Sequence, residues 1–321
     1  MYNQQYYPSD TYTYSQAPVR LLQSLNLLGL VGTLVVNVLA NALPIHGKTT
    51  GQLSDQYPNL FTPAGLTFSI WGIIYLLLIA FGIYQAKGLF RKSETDEDFL
   101  LVSRIGFLFF ISCLANIAWI LAWHYEYVGL SVLIMGVLFY CLLSIYLRLE
   151  TNRKYISWQE KYLVNIPFSV YFGWITVAAI ANITAWLVDQ GWGMGTLPEE
   201  TWAIVMIGVA TCIGLFILAK RRDAAYGLVI AWALLGIAIK RWTVSGGVLS
   251  NLILVTVICL LIISVGAALV AWLNREKKVP TTGTDNVLHA FSKDVISSLR
   301  STQPKEFNAI KRDQSIRREM T

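Results

Sequence analysis

Charged residues are scarce in this chain, and they are almost absent from its apolar stretches. Asp, Glu, Lys and Arg make up 14% of its 321 residues, whereas soluble proteins carry roughly 25%. None of them, and no His, lies well inside the first six long apolar runs. Because proton relays and ion-coupled pumps place ionisable groups at membrane depth, this scarcity argues against an ion-driven transporter.

Signatures of catalysis and metal binding are missing as well. The chain contains no G-x-S-x-G, H-E-x-x-H or P-loop motif, and its four cysteines share no metal-ligand spacing. Its three histidines form no ligand pair; His46 and His124 are expected in solvated outer loops, with an axial or metal ligand as the alternative. A membrane enzyme that uses His124 with Glu126 is a minor alternative. The sequence otherwise predicts no enzyme, no metal site and no obligatory cofactor.

What the chain has instead is apolar length. Apolar residues make up 55% of it, and a helix of roughly 20 such residues crosses a bilayer core of about 30 Å. We therefore predict an all-α integral membrane protein, built as an eight-helix transmembrane bundle. The spans are placed near residues 21–43, 63–86, 104–125, 127–148, 163–188, 201–219, 224–239 and 247–274.

The basic residues indicate how these spans are oriented. Of the 25 Lys and Arg residues, 22 lie on one side of the predicted membrane, and only Lys48, Lys240 and Arg241 lie on the other. Because cytoplasmic loops are enriched in Lys and Arg, both termini are predicted to be cytoplasmic, in a multi-pass protein of the cell inner (plasma) membrane. The net charge of +6 then attracts anionic lipid, so the lipid bilayer is the expected partner and nucleic acid is not.

The two ends of the chain differ from the apolar part. Residues 1–20 are polar and rich in Tyr, which predicts a disordered N-terminal tail. Residues 275–321 form a basic cytoplasmic tail in which four apolar residues recur at helical spacing: Leu288, Phe291, Val295 and Leu299. That spacing fits an interfacial helix on the cytoplasmic leaflet and equally a loose soluble helix.

Asparagine and tryptophan side chains fall repeatedly in the outer half of the predicted bilayer. Asn116, Asn182 and Trp71 lie about 10–13 Å from the outer ends of their spans. Asn37 and Asn41 are four residues apart on the outer part of span one and therefore share a helical face. A buried amide needs hydrogen-bond partners. These amides therefore either bond across helices or line a cavity, and the sequence leaves both interpretations open.

Three segments with these residues resemble one known family. The segment Cys113-Leu-Ala-Asn-Ile-Ala-Trp119 is similar to the L-x-L-N-x-x-W stretch in helix three of the TspO/MBR family, the tryptophan-rich sensory proteins related to translocator protein. Residues 63–75 resemble that family's P-P-G-x-x-F-x-x-x-W-x-x-L-Y pattern at the start of helix two. On span five, Trp174, Ala178 and Asn182 reproduce the family's spacing. The three matches occur in the family's order.

The resemblance covers about residues 21–190, which are therefore expected to form a five-helix TspO-like membrane domain. Residues 191–274 would then add three transmembrane helices that a five-helix family does not have. The chain also departs from the pattern inside the matched part: Ala64 replaces the second proline, and Phe68 precedes Trp71 by three residues instead of four. These departures lie near the mouth of the family's ligand pocket.

The resemblance implies a pocket between helices one, two, three and five, capped by the loop 44–62, that receives porphyrins, haem-like tetrapyrroles or other flat apolar molecules. The implied function is that of a membrane sensor or carrier that binds a small apolar ligand. The ligand-binding residues predicted for it are Asn37, Asn41, Pro63, Phe68, Trp71, Tyr75, Asn116, Trp119, Trp174 and Asn182.

Two questions stay open. A small-solute or lipid permease that uses all eight spans is the alternative function, in which case the Asn and Trp side chains only hold the helices together. The three extra helices could equally serve as a dimerising module, which would make the protein a homodimer.

Overall fold

The computed structural model describes residues 19–43, 45–90, 96–149, 157–191 and 198–276, and within these ranges every regular element is helical. Three short helices are α2 (Thr50–Asp55), α4 (Asp96–Ile105) and α7 (Trp158–Glu160). Two short 3₁₀-helices lie at Ile45–Gly47 and Gly65–Ser69, and a short π-helix lies at Lys161–Asn165. The long helices are α1 (Val19–Ala42), α3 (Ile70–Phe90), α5 (Leu108–His124), α6 (Val128–Arg148), α8 (Ile166–Asp189), α9 (Glu199–Arg221), α10 (Ala224–Val244) and α11 (Asn251–Glu276).

Most of the long helices are suited to a bilayer. Seven helices in the described ranges are long and apolar enough to cross a membrane, and α5 is an apolar helix of 17 residues. Their outward faces carry large exposed apolar side chains such as Leu76 and Leu133, which lipid solvates without cost. The predicted all-α membrane bundle is confirmed. The count of eight crossings and the cytoplasmic position of both termini stay predictions.

The third predicted span is shorter than expected. Residues 104–125 were placed in one run, but α4 ends at Ile105 and α5 begins at Leu108. Gly106 lies between them with φ 57°, a left-handed conformation that glycine adopts readily and that ends a helix. Its N–H donates to the carbonyl of Val102 at 2.8 Å, which satisfies the end of α4. The apolar run therefore continues across a helix break that its hydropathy does not reveal.

Helix α8 lies at the centre of the bundle and packs against α3, α6 and α10. In the most apolar part of Trp158–Asp189, 67% of the residues are buried, compared with 28% for Asn251–Asn274. Side chains on several faces of α8 are therefore held by protein and not by lipid. A central helix of this kind can present residues to more than one internal site.

A buried carboxylate, which the hydropathy pattern did not single out, fastens α10 to the other helices. Asp223 is 8% exposed and caps the start of α10 by accepting from the backbone N–H of Tyr226 at 3.1 Å. Its other oxygen accepts from the hydroxyls of Tyr146 on α6 and Ser169 on α8. A buried carboxylate costs free energy unless such donors satisfy it. Three helices therefore meet at one charged group.

The chain divides into two compact units, residues 1–272 and 273–321. The first unit contains α1 to α10 and α11 as far as Trp272; the second contains the last described residues of α11. Most of the predicted disordered tail (residues 1–20) and the predicted interfacial helix at 288–299 lie outside the described residues. The proposed division into residues 21–190 and 191–274 stays a prediction.

Candidate functional site

The candidate site lies under residues 45–64, here called the cap loop, which connect α1 to the turn before α3. Its helix α2 begins with a capping box, in which the Thr49 hydroxyl accepts from Gln52 N–H at 3.3 Å and the Gln52 side chain accepts from Thr49 N–H at 2.8 Å. Further along, the side-chain oxygen of Asn59 (Oδ1) accepts from the N–H groups of Phe61 and Thr62. These local bonds give the loop a defined shape.

The cap loop is tied to the turn between α5 and α6. Lys48 Nζ donates to Glu126 Oε1 at 2.8 Å, and Trp123 Nε1 donates to the carbonyl of Thr50 at 3.4 Å. Tyr57 lies against Trp123 with ring centroids 5.7 Å apart. Burial, together with the negative charges of Glu126 and Asp189, raises the pKa of Tyr57. Its phenol therefore stays neutral in this contact.

Helix α10 holds the other end of the cap loop. Lys240 forms an ion pair with Asp55, and the N–H of Ala64 donates to the carbonyl of Gly236 at 3.0 Å. Trp232 Nε1 donates to the carbonyl of Thr67 at 3.0 Å. A side chain at Gly236 would collide with Thr67, whose Cβ would lie 2.9 Å from the added Cβ. The close approach of α10 to the start of α3 therefore requires glycine at this position.

A cavity with about 40 Å³ of free volume lies beneath the cap loop, between α3, α5 and α8; it is called the aromatic cavity below. Six predicted ligand-binding residues line it: Pro63, Phe68, Trp71, Trp119, Trp174 and Asn182. Six further lining residues are Thr50, Ser54, Trp123, Val177, Ala178 and Ala181. Its volume admits a few water molecules, whereas pockets for drug-sized molecules measure roughly 300–1,000 Å³.

The tryptophan rings at this cavity contact one another. Trp71 lies edge-on to Trp174 at 6.2 Å and tilted against Trp119 at 6.3 Å, and it stacks on Tyr75 at 5.6 Å. Trp119 and Trp123, four residues apart on α5, stack with ring centroids 6.0 Å apart. The rings occupy most of the space beneath the cap loop. A larger molecule could enter only if the rings or the cap loop moved.

Two buried polar atoms at these rings have no hydrogen-bond partner within the described part of the chain. They are the indole nitrogen of Trp174 and the hydroxyl of Tyr75. By contrast, Trp119 Nε1 donates to Asn182 Oδ1 at 2.9 Å, and Asn182 Nδ2 donates to Ser131 Oγ at 2.8 Å. Because a buried indole N–H usually finds an acceptor, the Trp174 N–H is the group most in need of one.

The other predicted amides form a separate arrangement, the amide chain of Asn41, Asn37, Asn116 and Tyr171. Asn37 Nδ2 donates to Asn116 Oδ1 at 2.7 Å, and Asn116 Nδ2 donates to the Tyr171 hydroxyl at 3.1 Å. Asn41 Nδ2 donates to the carbonyl of Asn37 at 3.0 Å. These bonds join α1, α5 and α8. None of the four residues lines the aromatic cavity, and among the described residues no α1 side chain does so.

The structure thus divides the predicted binding residues into two groups. Trp71, Trp119, Trp174 and Asn182 meet at one cavity together with Pro63 and Phe68. Asn37, Asn41 and Asn116 belong to the amide chain, and Tyr75 stacks behind Trp71. Among the lining residues that were not predicted, Trp123 could have been found from its spacing of four residues after Trp119. Ala178 belongs to the spacing of Trp174, Ala178 and Asn182 that resembles the family, whereas the small side chain of Ala181 gave no such signal.

The outer histidine at the end of α5 is not a solvated loop residue, and that expectation was wrong. His124 is 0% exposed, and its Nδ1 lies 2.8 Å from the carbonyl of Ile120 one turn earlier. Hydropathy failed here because an imidazole can be buried when its own helix supplies a partner. The neighbouring Glu126 is paired with Lys48. Within the described ranges, no group of three His, Cys, Asp or Glu side chains could hold a metal ion.

A second, larger space, called the groove below, lies beside the aromatic cavity, between α6, α8 and α9. It measures about 360 Å³ and is lined mainly by apolar groups, among them Met135, Phe139 and Ile213. Asn182 belongs to both linings, so this one side chain stands between the two spaces. The Cβ of a residue placed at Gly136, in the wall of this groove, would meet no atom within 4 Å.

The chain is similar to a known protein family over most of its length. The family model described as "TSPO-like protein" matches residues 23–270, a range that includes α9 and α10 and most of α11. The match therefore extends beyond the residues 21–190 in which the resemblance was recognised. No curated protein and no solved structure matches the chain. With most of its length matched, the chain belongs to the family of TSPO-like proteins.

Proposed function

We propose that this multi-pass membrane protein is a sensor or carrier that binds a flat apolar ligand, such as a tetrapyrrole, in the aromatic cavity. The observation that carries the proposal is the convergence of four tryptophans, Trp71, Trp119, Trp123 and Trp174, on one cavity below a tethered loop. The family suggests a membrane protein that binds ligands or acts as a sensor, and its members are in general not enzymes. Indole faces suit a flat conjugated molecule.

The small free volume requires the site to open when ligand binds. About 40 Å³ cannot accommodate a porphyrin. The rings of Trp71 and Trp119 would have to separate, and the cap loop would have to move from the turn at Glu126. Binding then selects or induces an open state, and part of the interaction free energy is used to reach it.

The unpaired N–H of Trp174, a residue that lines the cavity, indicates what else the ligand should carry. It can donate a hydrogen bond, so a ligand with a carbonyl or carboxylate group would satisfy it. A porphyrin with carboxylate side chains has such acceptors, whereas a plain hydrocarbon does not. We therefore expect a ligand that is largely apolar and flat and has at least one acceptor.

Titration of the purified full-length protein with protoporphyrin tests this proposal. We expect saturable quenching of tryptophan fluorescence, and a weaker affinity in Trp71→Ala and Trp174→Ala. Trp158→Ala is the matched control, because Trp158 is 65% exposed and does not line the cavity. Equal affinity in all four proteins would contradict a site at these rings.

A further variant separates the aromatic cavity from the neighbouring groove. Gly136→Leu should fill part of the groove without a clash, because an added Cβ there has open space around it. Binding in the aromatic cavity should survive this change. If Gly136→Leu abolishes binding and Trp174→Ala does not, the ligand occupies the groove between α6, α8 and α9.

The alternative function, a small-solute or lipid permease, has one observation in its favour. Helix α10, which lies in the second part of the chain, contacts the cap loop through Lys240 and the start of α3 through Trp232. Helix α10 is thus connected to the cavity mouth and could transmit movement to it. Proteoliposomes that take up labelled protoporphyrin faster than protein-free vesicles would favour the permease, and saturable binding without uptake would favour the sensor. The homodimer and the inner (plasma) membrane location stay predictions.

A further inference from the structure

At the opposite end of the bundle, a second polar cluster lies between α1 and α3. Gln23, Asn26 and Gln85, here called the inner amide cluster, are 0%, 1% and 3% exposed. Gln23 Nε2 donates to the main-chain carbonyl of Gln85 at 3.0 Å, and Asn26 Nδ2 donates to Gln85 Oε1 at 3.1 Å. The side chains of Gln23 and Asn26 therefore both bond to Gln85.

These bonds leave part of each amide unused. Gln23 Oε1, Asn26 Oδ1 and Gln85 Nε2 are buried and have no hydrogen-bond partner in the described ranges. Because the oxygen and nitrogen of an amide share one carbon, the unpaired atoms lie close to the bonds around Gln85. If the Asn26 and Gln85 amides are both rotated by half a turn, their mutual bond is kept. Two acceptors and one donor are again left over.

This combination restricts what could bind. A bare cation could contact the two carbonyl oxygens but would face the Gln85 N–H₂ group, and an anion would face two oxygens of like polarity. A neutral molecule that donates two hydrogen bonds and accepts one fits all three atoms. We propose that the inner amide cluster is a binding site for such a small neutral molecule, with water as the smallest candidate and urea as a solute with the same groups.

The position of the cluster makes it distinct from the aromatic cavity. Asn26 lies seven residues after Val19, or about 10 Å along α1, from the end of the bundle that the basic residues assign to the cytoplasm. One turn further along α1, Leu30 packs so closely on Gly82 that a Cβ there would lie 2.7 Å from the leucine Cδ2. The inner amide cluster therefore lies on the inner side of this apolar contact.

Solid-state NMR of the full-length wild-type protein in lipid bilayers tests the site directly. With ¹⁵N-labelled Gln and Asn side chains, we expect magnetisation to pass from water, or from added ¹³C-urea, to the Gln85 amide. The Asn116 amide is the matched internal control, because it is 0% exposed and bonded at both ends within the amide chain. Gln85→Met, which keeps the length of the side chain, identifies the Gln85 signal.

The two probes identify the ligand. Transfer from water alone makes the site a hydration site, whereas transfer from urea, with loss of the water signal, makes it a site for a small amide-like solute. If neither probe contacts Gln85, the cluster is dry helix packing and the proposal is wrong; Asn26→Leu with Gln85→Met should then raise the temperature of unfolding. Protoporphyrin binding should be unchanged in every case, so that this result stands apart from the aromatic cavity.

Discussion

The amide chain and the aromatic cavity lie in neighbouring parts of the bundle, but the hydrogen bonding of their polar groups differs. In the amide chain, the side chains of Asn37 and Asn116 and the hydroxyl of Tyr171 bond one another. At the aromatic cavity, the Trp174 indole keeps an unpaired N–H beside free space. Paired amides stabilise helix contacts, whereas an unpaired donor at a cavity is available to a ligand. The difference separates residues that hold the fold from residues that could bind.

This comparison predicts opposite effects for mutations in the two regions. A change in the amide chain should lower the free energy of unfolding and leave ligand affinity almost unaltered. A change in the cavity wall that removes only an unpaired polar group should lower ligand affinity with a much smaller effect on stability, whereas truncation of a buried ring lowers both. The predictions below test this separation, beginning with the largest effect.

Asn116→Leu should lower the free energy of unfolding by about 2 kcal/mol, because Asn37 and the fully buried Tyr171 would each lose a partner. This exceeds the average of about 0.6 kcal/mol for one hydrogen bond between membrane helices, since two bonds are lost together. Unfolding of the purified protein in mixed micelles with increasing SDS measures the change. Asn41→Leu is the control, because Asn41 is exposed and bonds only within its own helix.

The comparison would fail if Asn116→Leu left stability unchanged and weakened protoporphyrin binding tenfold. Asn116 would then act as a binding residue, as the resemblance implied. The double variant Asn37→Ala with Asn116→Ala adds precision, because the coupling between the two changes isolates their shared bond.

Gly236→Ala should have the next largest effect, about 1–2 kcal/mol of lost stability, because the added methyl group forces Thr67 or α10 to move. The same movement should loosen the mouth of the aromatic cavity and speed both association and dissociation of ligand. Thermal unfolding and stopped-flow fluorescence measure the two quantities. Gly208→Ala on α9 is the control, since its added Cβ meets no atom within 4 Å. Equal results for both variants would show that α10 does not hold the cavity mouth.

The sequence was sufficient for the fold class because long apolar runs and the asymmetry of basic residues depend on the bilayer alone. It also selected four residues that meet at one cavity, Trp71, Trp119, Trp174 and Asn182. It could not separate Asn116 from Asn182. Both are buried asparagines at similar depth, and only the neighbouring helices decide which amide faces a cavity and which faces another amide.

Other features depend on contacts between residues far apart in the chain. The approach of Gly236 to Thr67 brings together positions 169 residues apart, and no local pattern announces it. His124 was misjudged because the carbonyl of Ile120 on its own helix bonds its ring, a contact that hydropathy does not register. The inner amide cluster was missed because Gln23, Asn26 and Gln85 lie near span ends, where polar residues are ordinary.

Trp174→Phe sharpens the comparison within the cavity wall. It keeps an aromatic ring but removes the N–H, so a ligand that accepts a hydrogen bond there should bind about three- to tenfold more weakly, or about 1 kcal/mol. Stability should fall only by the cost of the smaller buried ring, because the indole nitrogen has no partner to lose. Protoporphyrin and its dimethyl ester are titrated in parallel. Wild-type affinity for both ligands would show that the Trp174 N–H is not used.

Lys48→Ala should have the smallest effect. Its ion pair with Glu126 is partly exposed, with side-chain exposures of 35% and 38%, and such pairs contribute roughly 0.2–1 kcal/mol. If the pair keeps the cap loop closed, the variant should release the loop and raise the rate of ligand association two- to threefold. In the wild type, added salt should produce a similar increase by screening the pair. Glu126→Gln should match Lys48→Ala, and the salt effect should vanish in both variants. An unchanged association rate would mean that the ion pair of Lys48 with Glu126 does not limit access to the cavity.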